Sequence, residues 1–321
     1  MYRALLIGLS MLPIAPALGQ TYPDKSITLV VPTVLRTSRN IVAGMIADEL
    51  STRLGQNVVT ANRFGDSPIP GALSVRSAAP DGYTLLWVSN AFARTPSLVR
   101  NAGYDAVDDF EAVSLVSRTP LVLVTAPGFA EGTVAGLIEF AKSRPGALKF
   151  GSSGTASAGH VAAEMFMRHV GVRMQHVTFK QFVQARTGLI EGHIDIMFDS
   201  LVNHLFASKI VAGKVTAIAI TSRTRAAPLP DVPTLHECGL LGFEDVLWTG
   251  IVAPAGTPSG IVLRLHAEIA KVLGNPERYK RYRDGGMELS AGASPGELSA
   301  LIRTEGAEFA KLVRDAGMKS D

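Results

Sequence analysis

The stretch Gly151-Ser152-Ser153-Gly154-Thr155-Ala156-Ser157-Ala158-Gly159-His160 is built of residues that could hold a ligand. It follows a strand-like run and opens a helix-like one. Small residues let a ligand approach the backbone, and hydroxyls supply adaptable partners. The first N–H groups of a helix are unpaired and carry partial positive charge. Together these suit an anion such as a carboxylate, although an ordinary tight strand-to-helix turn has the same composition. A second candidate is Pro32-Thr33-Val34-Leu35-Arg36-Thr37-Ser38-Arg39-Asn40, running from the end of the first strand into a helix. Open α/β sheets bind ligands beyond the carboxyl ends of strands. Arg36 and Arg39 could meet a carboxylate there through paired hydrogen bonds, or could face solvent. A third is Met197-Phe198-Asp199-Ser200-Leu201, again at a strand end. Asp199 could accept from a ligand hydroxyl or ammonium, cap the next helix, or do both.

Motifs for catalysis are missing. Gly151-Ser152-Ser153-Gly154-Thr155 has Thr155 where a nucleophile elbow needs glycine. Gly213-Lys214-Val215 lacks the hydroxyl residue and upstream glycine of a phosphate loop. No two histidines stand four apart, His236-Glu237 does not continue as a zinc helix, and the lone Cys238 can form neither an internal disulfide nor a structural zinc site by itself. Asp105, Asp108 and Asp109 read as a solvated acidic turn. No catalytic residue, metal or cofactor is expected.

The elements that would position these residues alternate. Strands are expected over 26–32, 57–61, 84–89, 112–117, 121–125 (separated from the preceding one by Pro120), 148–151, 175–179, 194–198 and 215–221. Helices are expected over 39–53, 133–143 and 157–170. Such alternation predicts α/β architecture with mixed, mostly parallel sheets flanked by helices. Near the C-terminus, Thr257-Pro258, Asn275-Pro276 and Ser294-Pro295-Gly296-Glu297 read as helix starts. Residues 117–120 and the Pro/Gly-rich 223–242 read as linkers.

The 321 residues suggest two domains. With 47% hydrophobic and 18% charged residues the chain has the material for cores and is not of disordered composition. Lys+Arg 31 against Asp+Glu 28 gives a formal charge of +3, too small to imply a nucleic-acid partner. At the start, Arg3, the uncharged apolar run Ala4–Ala17 and the small residues Ala17 and Gly19 have the form of a secretory signal peptide over residues 1–19, with Gln20 as the first mature residue.

Several segments resemble one family. They are Thr21-Tyr22-Pro23-Asp24-Lys25 with Val31-Pro32, Ala79-Pro80-Asp81-Gly82-Tyr83-Thr84-Leu85-Leu86, Tyr104-Asp105 with Asp109-Phe110, and Phe150-Gly151-Ser152-Ser153-Gly154. Further on come Leu229-Pro230-Asp231-Val232-Pro233-Thr234 with Glu237 and Gly239, and Trp248 with Ala253-Pro254-Ala255-Gly256-Thr257-Pro258. In this order they are similar to the motifs of the Bug-type, TctC-like periplasmic solute-binding receptors of tripartite tricarboxylate transporters.

The resemblance implies a two-domain periplasmic-binding-protein (Venus flytrap) fold. Residues 20–122 and 246–321 would form a discontinuous first domain and 123–245 a second, with the ligand cleft between them. It implies a periplasmic monomer that captures a small organic carboxylate by domain closure and delivers it to the membrane subunits of such a transporter, without catalysis. The expected ligand set is Thr33, Arg36, Thr37, Ser38, Arg39, Asn40, Ser89 and Asn90 from the first domain, and Ser152, Ser153, Gly154, Thr155, Ser157, His160, Asp199 and Ser200 from the second. Two loops depart from the family pattern: 35–40 has no glycine, and Asn62–Gly71 lacks its central glycines. That should narrow the cleft and exchange backbone contacts for side-chain ones. Two alternatives stand beside this reading, a binding protein that signals to a membrane sensor and a periplasmic hydrolase using Ser152 or Ser153 with His160.

Overall fold

The computed structural model describes residues 22–32, 38–63, 68–130, 132–201, 210, 212–275 and 277–317, with backbone only at Ser38, Arg39, Arg281 and Ala316. The chain begins β1 (Ile27–Val31), α1 (Ser38–Leu54), β2 (Val58–Asn62), α2 (Ile69–Arg76), β3 (Thr84–Ser89), α3 (Asn90–Leu98). It continues with β4 (Phe110–Thr125), α4 (Val134–Ser143), β5 (Lys149–Ser152), α5 (Ala158–Val170), β6 (Gln175–Thr178), α6 (Phe182–Ile190) and β7 (Ile196–Ser200). The last elements are β8 (Thr216–Ile220), β9 (Val246–Pro254), α7 (Ser259–Leu273), α8 (Lys280–Asp284), β10 (Glu288–Leu289) and α9 (Pro295–Ala316). Among the described residues no helix is long and apolar enough to cross a membrane.

The strands join in the order β2-β1-β3-β9-β4-β7-β5-β6, with β8 and β10 also on β4. The pairs β1–β2, β1–β3, β5–β6 and β5–β7 are parallel, and every pair made by β4 or β9 is antiparallel. Helices cover both faces of each half. α1 and α7 close one apolar core over the β1 half, and α2, α3 and α9 close another. Over the β5 half, α4 and α5 pack on one face and α6 on the other. β-Branched runs such as Ile27-Thr28-Leu29-Val30-Val31 suit strands covered in this way.

The expected pair of strands around Pro120 is one sixteen-residue strand, β4. Pro120 faces Val246 at the last pair of the β9 ladder, and pairing to β7 begins at Leu121. A residue without an N–H is harmless where one ladder hands over to the next. Thr257 does not cap α7; its hydroxyl donates to the Pro254 carbonyl at 2.7 Å, and the helix starts at Ser259 with no side-chain cap. Ser294 does cap α9, accepting from the Glu297 N–H. Of the expected start at Asn275-Pro276, Pro276 lies outside the described residues, and α8 begins only at Lys280.

Register fixes where the strand ends meet. β3 and β4 both run antiparallel to β9, so β1, β2 and β3 point the same way as β4. β7 runs against β4, so β7, β5 and β6 point the opposite way. Ser89 pairs with Thr249, which pairs with Ser117, while Ser200 pairs with Leu121. The carboxyl ends of both parallel sets therefore face each other across Pro120, separated by about 13 Å of β4 at roughly 3.3 Å per residue.

Buried polar groups tie the chain passes together here. The Thr221 hydroxyl receives the Leu121 N–H at 2.8 Å and donates to the Asp245 carbonyl. The Asn90 amide receives the Trp248 N–H at 2.9 Å and donates to the Val246 carbonyl and to Glu305 at 3.2 Å. Arg94 pairs with Glu305 and, at 3.4 Å, with Asp245. Asp245 is 5% exposed, and its second carboxylate oxygen has no partner among the described residues. Burial pushes its pKa up to about 6, Arg94 pulling it back down and Glu305 and Glu308 adding to the rise. Folded Asp245 thus keeps its proton to higher pH than the unfolded chain. The resulting stabilisation is full below about pH 4 and lost as pH rises through about 6. Relative to Asp245→Asn, the wild type should lose roughly 3 kcal/mol of unfolding free energy between about pH 4 and about pH 7.5. Urea unfolding of both proteins at the two pH values checks this; parallel profiles would refute it.

Candidate functional site

The β5-to-α5 turn follows the carboxyl end of β5, on the side where the two sets of strand ends face each other. Gly154 has φ +124° and Ala156 φ +61°, so a residue with a Cβ holds a left-handed conformation that is uncommon outside Gly, Asn and Asp. Two contacts hold it. The Ala156 N–H donates to His160 Nδ1 at 3.0 Å, and the Ser157 N–H to the Gly154 carbonyl at 3.2 Å. The N–H groups of Ser153, Thr155, Ala158, Gly159 and His160 have no acceptor among the described residues. The Ser157 hydroxyl precedes α5 without capping it and is likewise buried and unpartnered there. Unpaired donors at the start of a thirteen-residue helix form an anion-binding arrangement.

Below the turn, Phe150, His176 and His160 stack, with ring centroids 4.7 Å apart for Phe150–His176 and 4.2 Å for His160–His176. Ser152 is fully buried, and its Oγ lies 2.7 Å from His176 Nε2 while accepting the Gly154 N–H. His160 turns Nε2 towards Glu164, 3.6 Å away. Ser152 thus pairs with His176 and not with His160, whose Nδ1 accepts a backbone N–H. Gly159 lets α5 sit against β7, since a Cβ there would lie 2.6 Å from the Phe198 carbonyl oxygen.

Asp199 is 1% exposed. Both of its oxygens are held by Arg186, from Nε at 2.5 Å and Nη2 at 2.9 Å, and one also takes the Ser200 N–H at 2.7 Å. Burial pushes the Asp199 carboxyl up, against the pull of Arg186 and that N–H. The carboxylate is turned to α6 and is committed there.

Of the expected ligand residues, Ser153, Gly154, Thr155, Ser157 and His160 come together in the turn, with Ser152 beneath it. Asp199 and Ser200 end the neighbouring β7. Ser89 and Asn90 lie at the facing end, but the Asn90 amide is taken up by β9 and Glu305. Asn40 is half-buried in the first turn of α1. Thr33, Arg36 and Thr37 lie outside the described residues, as do the side chains of Ser38 and Arg39. His176 and Arg186 were not expected. Neither carries a local motif; only the Phe150–His176 register pair and the fold of α6 over β7 bring them in.

A cavity of about 570 Å³ opens between α5, α9 and the start of β9, with Arg94, Val161, Asp245, Trp248 and Phe309 in its wall; of the expected ligand residues, none lines it. Among the described residues no group of three or more His, Cys, Asp or Glu side chains could hold a metal ion.

The family model described as tripartite tricarboxylate transporter family receptor matches residues 42–318. Protein BugT of Bordetella pertussis is 31% identical over 307 residues, covering 95% of this chain and 93% of that one. Among solved structures, Rpa4515 of R. palustris with adipate is 32% identical, with a TM-score of 0.74 over 93% of this chain and 99% of that one. MatC of Rhodopseudomonas palustris with bound malate is 29% identical, with a TM-score of 0.73 over 91% of this chain and all of that one. The two-domain periplasmic-binding-protein architecture is thereby the fold of this chain.

The glycine contacts predict opposite effects for one substitution type. Gly44→Ala, in α1 with open space around its Cβ position, should stabilise by about 0.8–1 kcal/mol. Gly159→Ala should destabilise by about 1–3 kcal/mol, because backbone carbonyl oxygen cannot move aside as a flexible side chain would. Thermal unfolding of both variants measures this, and a Gly159→Ala protein as stable as wild type would contradict the packing of α5 on β7.

Proposed function

The chain belongs to the tripartite tricarboxylate transporter receptor family, and from that premise we propose that it is a periplasmic binding protein that captures a small organic carboxylate between its two domains and presents it to the membrane subunits of such a transporter. The observation that supports this reading is the serine turn, where the N–H groups of Ser153, Thr155, Ala158, Gly159 and His160 and the buried Ser157 hydroxyl gather without a partner among the described residues. A carboxylate is the complement of such donors.

Residues 20–122 with 246–321 form the first domain in this reading and 123–245 the second. Its support is the handover of β4 from β9 to β7 at Pro120 and Leu121 and the return of the chain through Asp245 into β9. Arg36 and Arg39 supply the carboxylate contacts of the first domain. Domain closure is the binding event, and a ligand shifts the open–closed balance only by its better fit to the closed form. The N-terminal 19 residues direct export and are removed. Adipate and malate, held by related proteins of known structure, are the natural first probes.

At 100 times its dissociation constant a ligand adds about 2.7 kcal/mol to stability. A thermal-shift panel of mono-, di- and tricarboxylates should therefore include acids that raise the unfolding midpoint by several degrees. No shift with any acid would overturn the reading. The Arg36→Ala/Arg39→Ala double variant should bind the best acid about tenfold or more weakly by calorimetry; unchanged affinity would remove the two arginines from the site.

A further inference from the structure

The alternation of β7 sends Ile196 and Phe198 into the core under α4 and α5, and Met197 into the core under α6. Asp199 points the same way as Met197 and meets Arg186, in the second turn of α6. A buried ion pair is a poor device for stability. Desolvation opposes the attraction, and apolar residues of similar size often pack as well or better. Here burial does dominate the Asp199 carboxyl. The pair calls for a reason other than packing, and its place supplies one.

β5 and β7 are in parallel register, Phe150 opposite Ile196 and Gly151 opposite Met197. Continuing that register by two residues sets Asp199 level with Ser153, the first residue of the serine turn. Against β4, Asp199 stands opposite Val122 and Ser200 opposite Leu121, next to the crossing at Pro120. The Arg186 guanidinium is 5.9 Å from the centre of the Phe182 ring, and the side chain is 14% exposed. A fixed cation thus stands near the carboxyl end of β7, on its α6 face, and β7 is the strand next to the one that leads into the serine turn.

We propose that Arg186, oriented by Asp199, is a specificity-determining residue of the second domain that selects a ligand carrying an ionised carboxylate at this end over its neutral amide. This rests on the carboxylate-binding reading above. Backbone N–H groups alone accept the oxygen of a carboxylate or of an amide. A guanidinium adds a charge-assisted, directional preference for the carboxylate. Asp199 takes the Nε–Nη2 edge and so fixes the plane of the fork. The ligand carboxylate is received by the part of the fork that Asp199 does not take, in exchange for the further contact that Arg186 has without ligand. Because the pair is neutral overall, the second domain meets the ligand with direction and little net charge.

The experiment compares the best-binding dicarboxylate of a panel (succinate, glutarate, adipate, malate) with its monoamide by calorimetry. Arg186→Met alone would strand a buried carboxylate, so Arg186→Met is combined with Asp199→Asn. In the wild type both ends of the ligand require charge, and the diacid should bind about tenfold or more tightly than the monoamide. In the double variant the amide end is tolerated at this position. Diacid affinity should fall about tenfold or more while monoamide affinity stays nearly constant, bringing the ratio close to one. Damage of a merely structural kind would weaken both ligands alike, and that result overturns the proposal, as does an unchanged ratio. Should the double variant fail to fold, Arg186→Lys keeps the charge without the fork and should lower the ratio part of the way; a wild-type ratio in that variant counts equally against it. A wild type that binds no acid of the panel overturns the carboxylate reading itself, which separates the two failures.

Discussion

β4 is the constraint on which the rest of the structure depends. It is one extended strand that holds β9 and β10 along its first eleven residues and β7 and β8 along its last five. Every parallel strand takes its direction, through β9 or β7, from this one. The facing of the two sets of carboxyl ends follows from hydrogen-bond polarity alone. Ligand sites of open α/β sheets lie beyond such ends, so topology brings two regions of that kind to face each other before any side chain is chosen.

Much of this was legible in the chain. The α/β alternation and most strands follow from β-branched runs bounded by Pro, Gly and Asp, since strands covered on both faces must be apolar throughout. Pro120 was misleading for a physical reason. Proline removes a ladder donor, which usually ends a strand, but the donor is dispensable where pairing changes partner. Thr257-Pro258 misled similarly: the hydroxyl of Thr257 is nearer to the Pro254 carbonyl than to any N–H of α7. No periodicity reports such a competition between local partners.

The site divides along the same line. The serine turn was readable because its chemistry is local, with glycine, hydroxyls and a helix start in one continuous stretch. The groups that hold the turn in shape come from other elements and left no mark in the local pattern. His176 reaches Ser152 because β6 pairs with β5 in one particular register. Arg186 reaches Asp199 because α6 lies over β7, and a lone arginine in an amphipathic helix has no feature to distinguish it from a surface one. Asp199 stands out in the sequence by its strand end, but its partner, and with it the direction in which the carboxylate points, comes only from the fold.

The distribution of polar groups bears on how such a molecule can move. Among the described residues the apolar cores lie within the two halves, and they share one cluster, Ala156, Val161 and Met165 against Leu98, Phe309, Leu312 and Val313, with the exposed Arg168–Asp315 pair beside it and Leu201 and Pro228 packed at Gly286. Near the crossing the buried contacts are hydrogen bonds and ion pairs from Asn90, Arg94, Thr221, Asp245 and Glu305. Apolar packing stabilises by area with little regard to angle, whereas hydrogen-bonded networks are directional and contribute little net stability. Rotation of one half about β4 would part that shared cluster, and it would be limited by the geometry of those polar bonds.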